Sequence, residues 1–315
     1  MRSVVVPVLT ALVLAGTSAC SAFSGDDGTA DDDGVRVVAA FYPLQYAAQR
    51  VGGDLVDVEN LTVPGQEPHE LGVTIQETAA IARADVVVFE HGFQPAIDDA
   101  VETSAEGSVI DAAEVVDLLH AEDHGDEAAH DEHAEGEEDH DHGDLDPHFW
   151  QDPVRLADLA DAIADELADL DPDNAEDYAA NADDLRADLE ALDTAYATGL
   201  EGCERDIVVV SHDAFAYLTA YGLEFEPIAG LSPDAEPTPS DLARLNRLIE
   251  EEGITTVFGE RLAPQDLTDT LARDAGVTTA VLDPVEGLTD ETEGEDYISL
   301  MTKNLDALRT ANGCP

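Results

Sequence analysis

Basic residues are what this chain has least of. Lysine and arginine total 13 against 72 aspartates and glutamates, Lys303 is the only lysine, and the formal net charge is -59. A field of that sign repels nucleic acid and anionic lipid surfaces and concentrates cations. The excess runs along nearly the whole chain, so alone it reads as a solvated acidic surface rather than a device aimed at one place. Two enzyme signatures are also missing. There is no His-Glu-x-x-His string and no Gly-x-Ser-x-Gly nucleophile elbow, which argues against the commonest hydrolase sites. Hydrophobic residues make up 44% of the 315 positions, enough for a substantial core, which excludes a wholly disordered chain.

Cysteine is sparse, and its three positions carry information. Arg2 followed by the apolar run Val4 to Ala15 forms an export signal too short to span a bilayer. It ends at Thr17-Ser18-Ala19-Cys20, which resembles a bacterial lipoprotein signal with Cys20 as the lipidated residue. The polar stretch to Gly34 fits a tether. Cys203 and Cys314 remain, and in an exported chain such a pair reads as a disulfide.

Apolar β-rich runs alternate with helical patterns, the pattern of α/β units with largely parallel sheets. The first half predicts strands at Val35-Ala40, Val56-Val63, Asp85-Phe89 and Ser108-Asp111, with a helix over Thr74-Arg83. A helical region follows. Asp152-Pro153 caps one helix carrying Leu156, Leu159, Ala160, Ile163 and Leu167, and Asp171-Pro172 opens another running to about Gly199. The second half predicts strands at Ile207-Ser211, Phe225-Ile228, Thr255-Phe258 and Thr278-Leu282. Helices are predicted to Tyr221, over Ser240-Glu251, over Pro264-Ala275 and from Asp296 to Ala311. The expected organisation is a signal peptide at 1–19, a tether at 20–34, an α/β lobe at 35–151, a helical linker at 152–202 and a second α/β lobe at 203–315.

Ten histidines are present, and nine fall into two groups. His69, His148 and His212 sit in Pro68-His69-Glu70, Asp146-Pro147-His148-Phe149-Trp150 and Ser211-His212-Asp213-Ala214-Phe215. His120, His124, His130, His133, His140 and His142 lie in an acidic tract, about 120 to 143, with no apolar periodicity. Imidazole is the commonest protein ligand for zinc, and a tight site needs three or four ligands brought together by the fold. His69, Glu90, His212, Glu260 and Asp283 all follow predicted strands, where α/β lobes bind ligands. His91, in Glu90-His91-Gly92, reads as a polar residue at a strand end.

These strings resemble the metal-binding solute-binding proteins of bacterial ABC importers, in the zinc-uptake branch. Pro64-Gly65, Glu236-Pro237-Thr238-Pro239, Phe258-Gly259-Glu260 and Leu282-Asp283-Pro284 extend the resemblance across the mature chain. It implies two similar lobes with mainly parallel sheets joined by a long rigid helix, with a metal site in the cleft between them. It also implies zinc ligands His69, His148 and His212, with Asp283 fourth and Glu67 as the alternative; Glu260 is expected to hold a histidine or a backbone group, since ligating imidazoles need a partner. The acidic His tract would bind further zinc weakly. Three imidazoles with one carboxylate favour Zn²⁺, whereas manganese relatives carry a carboxylate where His212 stands. The implied function is extracytoplasmic zinc capture by a lipid-anchored monomer that delivers to a permease and its ATPase. A secreted zinc hydrolase and a metal-buffering or adhesion lipoprotein are the alternatives.

Overall fold

The computed structural model describes residues 34–120, 145–233 and 235–315. The expected signal peptide, residues 20–33 of the tether with Cys20, and the tract histidines His124, His130, His133, His140 and His142 lie outside the described residues.

The first lobe is built on β1 (Val35–Ala39), β2 (Val56–Asn60), β3 (Val86–Phe89) and β4 (Ser108–Asp111), in the order β2-β1-β3-β4 with every pair parallel. All four residues of β3 are buried, the continuous apolar run expected of a strand covered on both faces. The crossovers are α1 (Tyr42–Gly52), α2 (Ile75–Arg83) and α3 (Pro95–Ser104), and the short α4 (Ala112–Val115) follows β4. Thr74 and Glu77 form a reciprocal capping box at the start of α2, satisfying two otherwise orphaned amides. After α4, the two-residue strands β5 (Leu119–His120) and β6 (Leu145–Asp146) pair antiparallel and bring the ends of the acidic tract together.

Two helices follow. In α5 (Pro153–Leu170), Asp152 caps the amides of Val154 and Arg155, and Leu156, Leu159, Ala160, Ile163 and Leu167 are all buried. That stripe packs along α6 (Ala175–Gly199), whose buried face carries Tyr178, Leu185, Leu189, Leu192 and Tyr196. The first lobe's α1 packs against both helices.

The second lobe repeats the first plan. Strands β7 (Ile207–Val210), β8 (Glu224–Pro227), β9 (Thr256–Gly259) and β10 (Thr278–Val281) lie in the order β10-β9-β7-β8, all parallel. Its helices are α7 (Pro239–Glu251), α8 (Asp266–Ala275) and α9 (Tyr297–Asn312), and α9 packs on α6. The helix expected up to Tyr221 is instead an irregular segment and a 3-10 turn, Ala216–Tyr221, closed by Gly222 in the left-handed region. One core runs from the first sheet through the helical pair to Phe258 and Leu282, and a smaller one fills the space beneath α7 and α8. Cys203, after α6, is bonded to Cys314, after α9. Among the described residues no helix is long and apolar enough to cross a membrane.

Candidate metal centre

Three loops at strand ends and one 3-10 turn converge between the two sheets. His69 comes from the loop after β2, His212 from the residue pair that ends β7, and Glu286 from the loop after β10. His148 precedes the 3-10 turn Phe149–Gln151 that leads into α5. One donor atom from each of these four residues lies within 4.8 Å of the others, and this is the one such group among the described residues.

The central oxygen is Glu286 Oε1, 3.5 Å from His69 Nε2, 3.5 Å from His148 Nε2 and 3.4 Å from His212 Nε2. Those separations are long for hydrogen bonds, and all four atoms are buried without a hydrogen-bond partner. Four orphaned donor atoms facing one another would be costly in a finished core. Zinc bonds of about 2.0–2.1 Å in a tetrahedron put ligand atoms about 3.3–3.4 Å apart. The three edges at Glu286, 3.4–3.5 Å, come close to that spacing, so this donor set fits Zn²⁺.

Two of the imidazoles are braced from behind. His148 Nδ1 lies 2.7 Å from Asp146 Oδ1, and His212 Nδ1 lies 2.7 Å from Glu260 Oε1. Such a carboxylate fixes the ring and its tautomer, leaving Nε2 for the metal. Both histidines are 0% exposed. Burial pushes their pKa values down, but Asp146 or Glu260 together with Glu286 outweighs it, raising His148 to about 9 and His212 to about 10. Burial pushes the Glu286 carboxyl up, and its contacts with His148, His212 and His69 outweigh that and hold it well below the usual range. Without metal, His148 and His212 are thus biased towards imidazolium and Glu286 towards carboxylate.

The remaining two donors are positioned by backbone. The His69 side chain is 10% exposed and its ring packs edge-on against Phe93 at 4.6 Å. Glu67 accepts from the amides of His69 and Glu70 and so shapes the turn. Glu286 follows Val285, the only non-glycine residue at positive φ among the described residues, φ 60°. The carbonyl of Pro284 accepts from Trp150 Nε1 and Gln151 Nε2, tying the Glu286 loop to the His148 segment.

Asp283, expected as the fourth donor, is not in the cluster. Its Oδ1 accepts from the Val285 amide, its Oδ2 meets Arg261 Nε at 3.2 Å, and its backbone N–H and carbonyl bond the Asn304 side chain. The left-handed step at Val285 carries the chain past Asp283 and presents Glu286 instead. The alternative, Glu67, has Oε1 3.9 Å from His69 Nε2 but is occupied by the turn amides. Glu260 stands behind His212 and also accepts from Ser211 Oγ. His91 lies outside the cluster, with its amide on Asp111 Oδ1. His120 is exposed in β5. Sequence reasoning missed Glu286, one carboxylate among 72 acidic residues. It also missed Asp146, although Asp-Pro-His places a carboxylate two residues before a ligand.

A cleft between two parallel-sheet lobes, lined by three imidazoles and a carboxylate, defines a metal-binding solute-binding protein. The chain belongs to the family described as zinc-uptake complex component A, periplasmic, which it matches over residues 37–311. It is 39% identical over 282 residues to the zinc-binding lipoprotein AdcA of Streptococcus pneumoniae, covering 88% of this chain and 56% of the relative. It is 35% identical over 294 residues to the high-affinity zinc uptake system protein ZnuA of Bacillus subtilis, covering 91% of each. The crystal structure of Zn(II)-bound AdcA from Streptococcus pneumoniae superposes with a TM-score of 0.72 at 35% identity, covering 89% of this chain and 58% of that one. The chain thus spans little more than half the length of AdcA and nearly all of ZnuA.

Proposed function

We propose that this protein captures one zinc ion outside the cytoplasm with His69, His148, His212 and Glu286, and delivers it to the permease and ATPase of an ABC importer. The observation that carries the reading is the convergence of three buried, unpartnered imidazole nitrogens on one buried, unpartnered carboxylate oxygen. Membership of a zinc-uptake family and the names of the relatives support delivery as well as binding. Anchoring through a lipid on Cys20, action as a monomer and weaker zinc binding by the histidines of the acidic tract belong to the same proposal.

Capture is favoured over hydrolysis by the shell itself. A catalytic zinc keeps three protein ligands and an open position for water, whereas a fourth protein ligand closes the shell. Glu286 would take that position here, and the 3.4–3.5 Å from its oxygen to each of the three histidines supports this.

The test is a competition titration of the full chain against a chromophoric zinc chelator, combined with diffraction at the zinc absorption edge. One tight ion between the four named side chains is expected, with weaker ions elsewhere. A tight ion held through Asp283 without Glu286, or no tight ion at all, would overturn the ligand set.

A further inference from the structure

Beside the metal centre, and open to it, lies a second polar feature that the four-ligand cluster does not use. Glu90, the residue after β3, is 1% exposed, and neither of its carboxylate oxygens has a hydrogen-bond partner. It lies among Asp146, Asp111 and Asp98, with burial first and those acids after it pushing its carboxyl well above the usual range. Burying an unpaired acid in a field of other acids is unfavourable for folding alone. Glu90 lines a cavity of about 150 Å³ whose wall also includes His69, His91, Phe93, Leu118 and Leu145. The cavity therefore touches three things at once. His69 is the least buried of the four donors, His91 is a half-exposed imidazole, and Leu118 immediately precedes β5 while Leu145 lies in β6.

We infer that this cavity is a second, weaker site for a divalent transition-metal cation, held by the Glu90 carboxylate and the His91 imidazole, through which zinc passes on its way to and from His69. The inference rests on the zinc-capture reading of the main site. The chemistry matches the cargo, since carboxylate and imidazole are both zinc donors. A cation there would satisfy the stranded carboxylate and offset the surrounding acids. Two protein donors, with water completing the shell, make a site weak enough to give the ion up, as a station on a path must be. His91 is held in place by its amide on Asp111 Oδ1, and its Nδ1 lies 3.5 Å from Asp98 Oδ2.

A station on the path makes a kinetic demand that a merely structural residue does not. Weakening it slows loading and unloading together and leaves their ratio, the main-site dissociation constant, unchanged. Trp150, the only tryptophan, has its ring 5.3 Å from that of His148 and reports occupancy of the main site by fluorescence. The experiment uses the full chain and zinc alone. Stopped-flow loading, and release to excess chelator, are measured for the wild type, Glu90→Gln and His91→Ala. Crystals grown with excess zinc are examined at the zinc edge.

Expected are a partly occupied anomalous peak in the cavity besides the main one, and a several-fold slowing of both rates in both variants at constant affinity. A main-site peak with none in the cavity overturns this inference while leaving the proposed function standing. Absence of the main-site peak overturns both. Unchanged rates, or a changed affinity with an unchanged loading rate, likewise overturn the station. Glu90→Gln is isosteric and His91 is half exposed, so at least one variant retains the fold.

Discussion

His148 and His212 are completely buried and each leans on its own buried carboxylate, whereas His69 and Glu286 come from loops held through their main chain by the side chains of Glu67, Trp150 and Gln151. The first pair belongs to the core as much as to the site. The difference teaches that a metal centre can be braced by buried carboxylates on one side and by loop hydrogen bonds on the other. Removing a donor should therefore have different consequences on the two sides.

The largest effects come from deleting donors. His148→Ala and His212→Ala each remove a zinc ligand and also strand Asp146 or Glu260 as a buried carboxylate. Breaking a buried pair in that way costs about 3–5 kcal/mol. His69→Ala and Glu286→Gln remove a ligand and strand no bracing carboxylate. All four variants should lose tight zinc, by more than the roughly 10–100-fold expected from disturbing a ligand's partner. The metal-free melting temperature should fall strongly in the first two and also in Glu286→Gln, which strips His148 and His212 of the carboxylate they share, and little in His69→Ala. Equal destabilisation by His69→Ala would erase the distinction. Asp283→Asn, by contrast, should leave zinc affinity within the range of the wild type.

Acidity acts next, and mainly on the braced pair. Their pKa values are raised from 6.5 to about 9 and about 10 in the metal-free protein. A raised histidine contributes stability that is fully present below its unfolded pKa and is lost as pH rises through the folded one. Metal-free stability from this cluster should therefore decline between about pH 6.5 and pH 10. Zinc binding runs the opposite way, because both imidazolium protons must leave before Nε2 can coordinate. At pH 7 close to two protons should be released per zinc, which calorimetry in buffers of different ionisation heat measures directly. Affinity should fall by up to about a hundredfold per pH unit below neutrality. Release of no protons would mean that the braced histidines are already neutral.

The bracing groups themselves come third. In Asp146→Asn and Glu260→Gln the amide oxygen can still accept from Nδ1, so the ring keeps its direction and loses the charge behind it. Zinc affinity should weaken about 10–100-fold, and fewer protons should be released at pH 7. Glu67→Gln, which alters only the His69 turn, should have a much smaller effect. A Glu67→Gln loss as large as that of Glu260→Gln would make Glu67 a ligand after all.

The three histidines were legible and the carboxylate was not. The histidines stood out because there are only ten, in short strings beside proline and aromatics, and both sheets followed from their apolar runs. Burial on nearly all sides hid α1 from a periodicity reading, since eight of its eleven residues are buried, Tyr42, Leu44 and Tyr46 among them. The opposite hid α3, where only Ile97, Ala100 and Val101 of ten residues are buried, too few apolar positions to mark a stripe. Glu286 was illegible for a different reason. Acidic residues are so common here that one more after Pro284 carries no signal, and the strand-end rule pointed to Asp283. What moves the carboxylate into place is a backbone conformation that a valine rarely adopts, and no pattern of residue types announces it.

That conformation provides the smallest effect, in the loop that carries Glu286. Val285 is fully buried with φ 60°, a left-handed geometry unfavourable for a β-branched residue, costing about 1–3 kcal/mol. Glycine at this position relieves the strain and gives up the buried side chain, which contributes about 1.5–3 kcal/mol. The two nearly cancel, so Val285→Gly should change the metal-free melting temperature little. Val208→Gly is the comparator, an almost fully buried valine in β7 with no such strain to relieve, and it should cost the full burial and more. Zinc affinity of Val285→Gly should fall modestly, by less than the Asp146→Asn loss, because Glu286 then visits more conformations before it closes on the ion. If Val285→Gly destabilises the metal-free protein as much as Val208→Gly, the turn stores no strain. Glu286 would then be held by packing alone, as firmly as the histidines it faces.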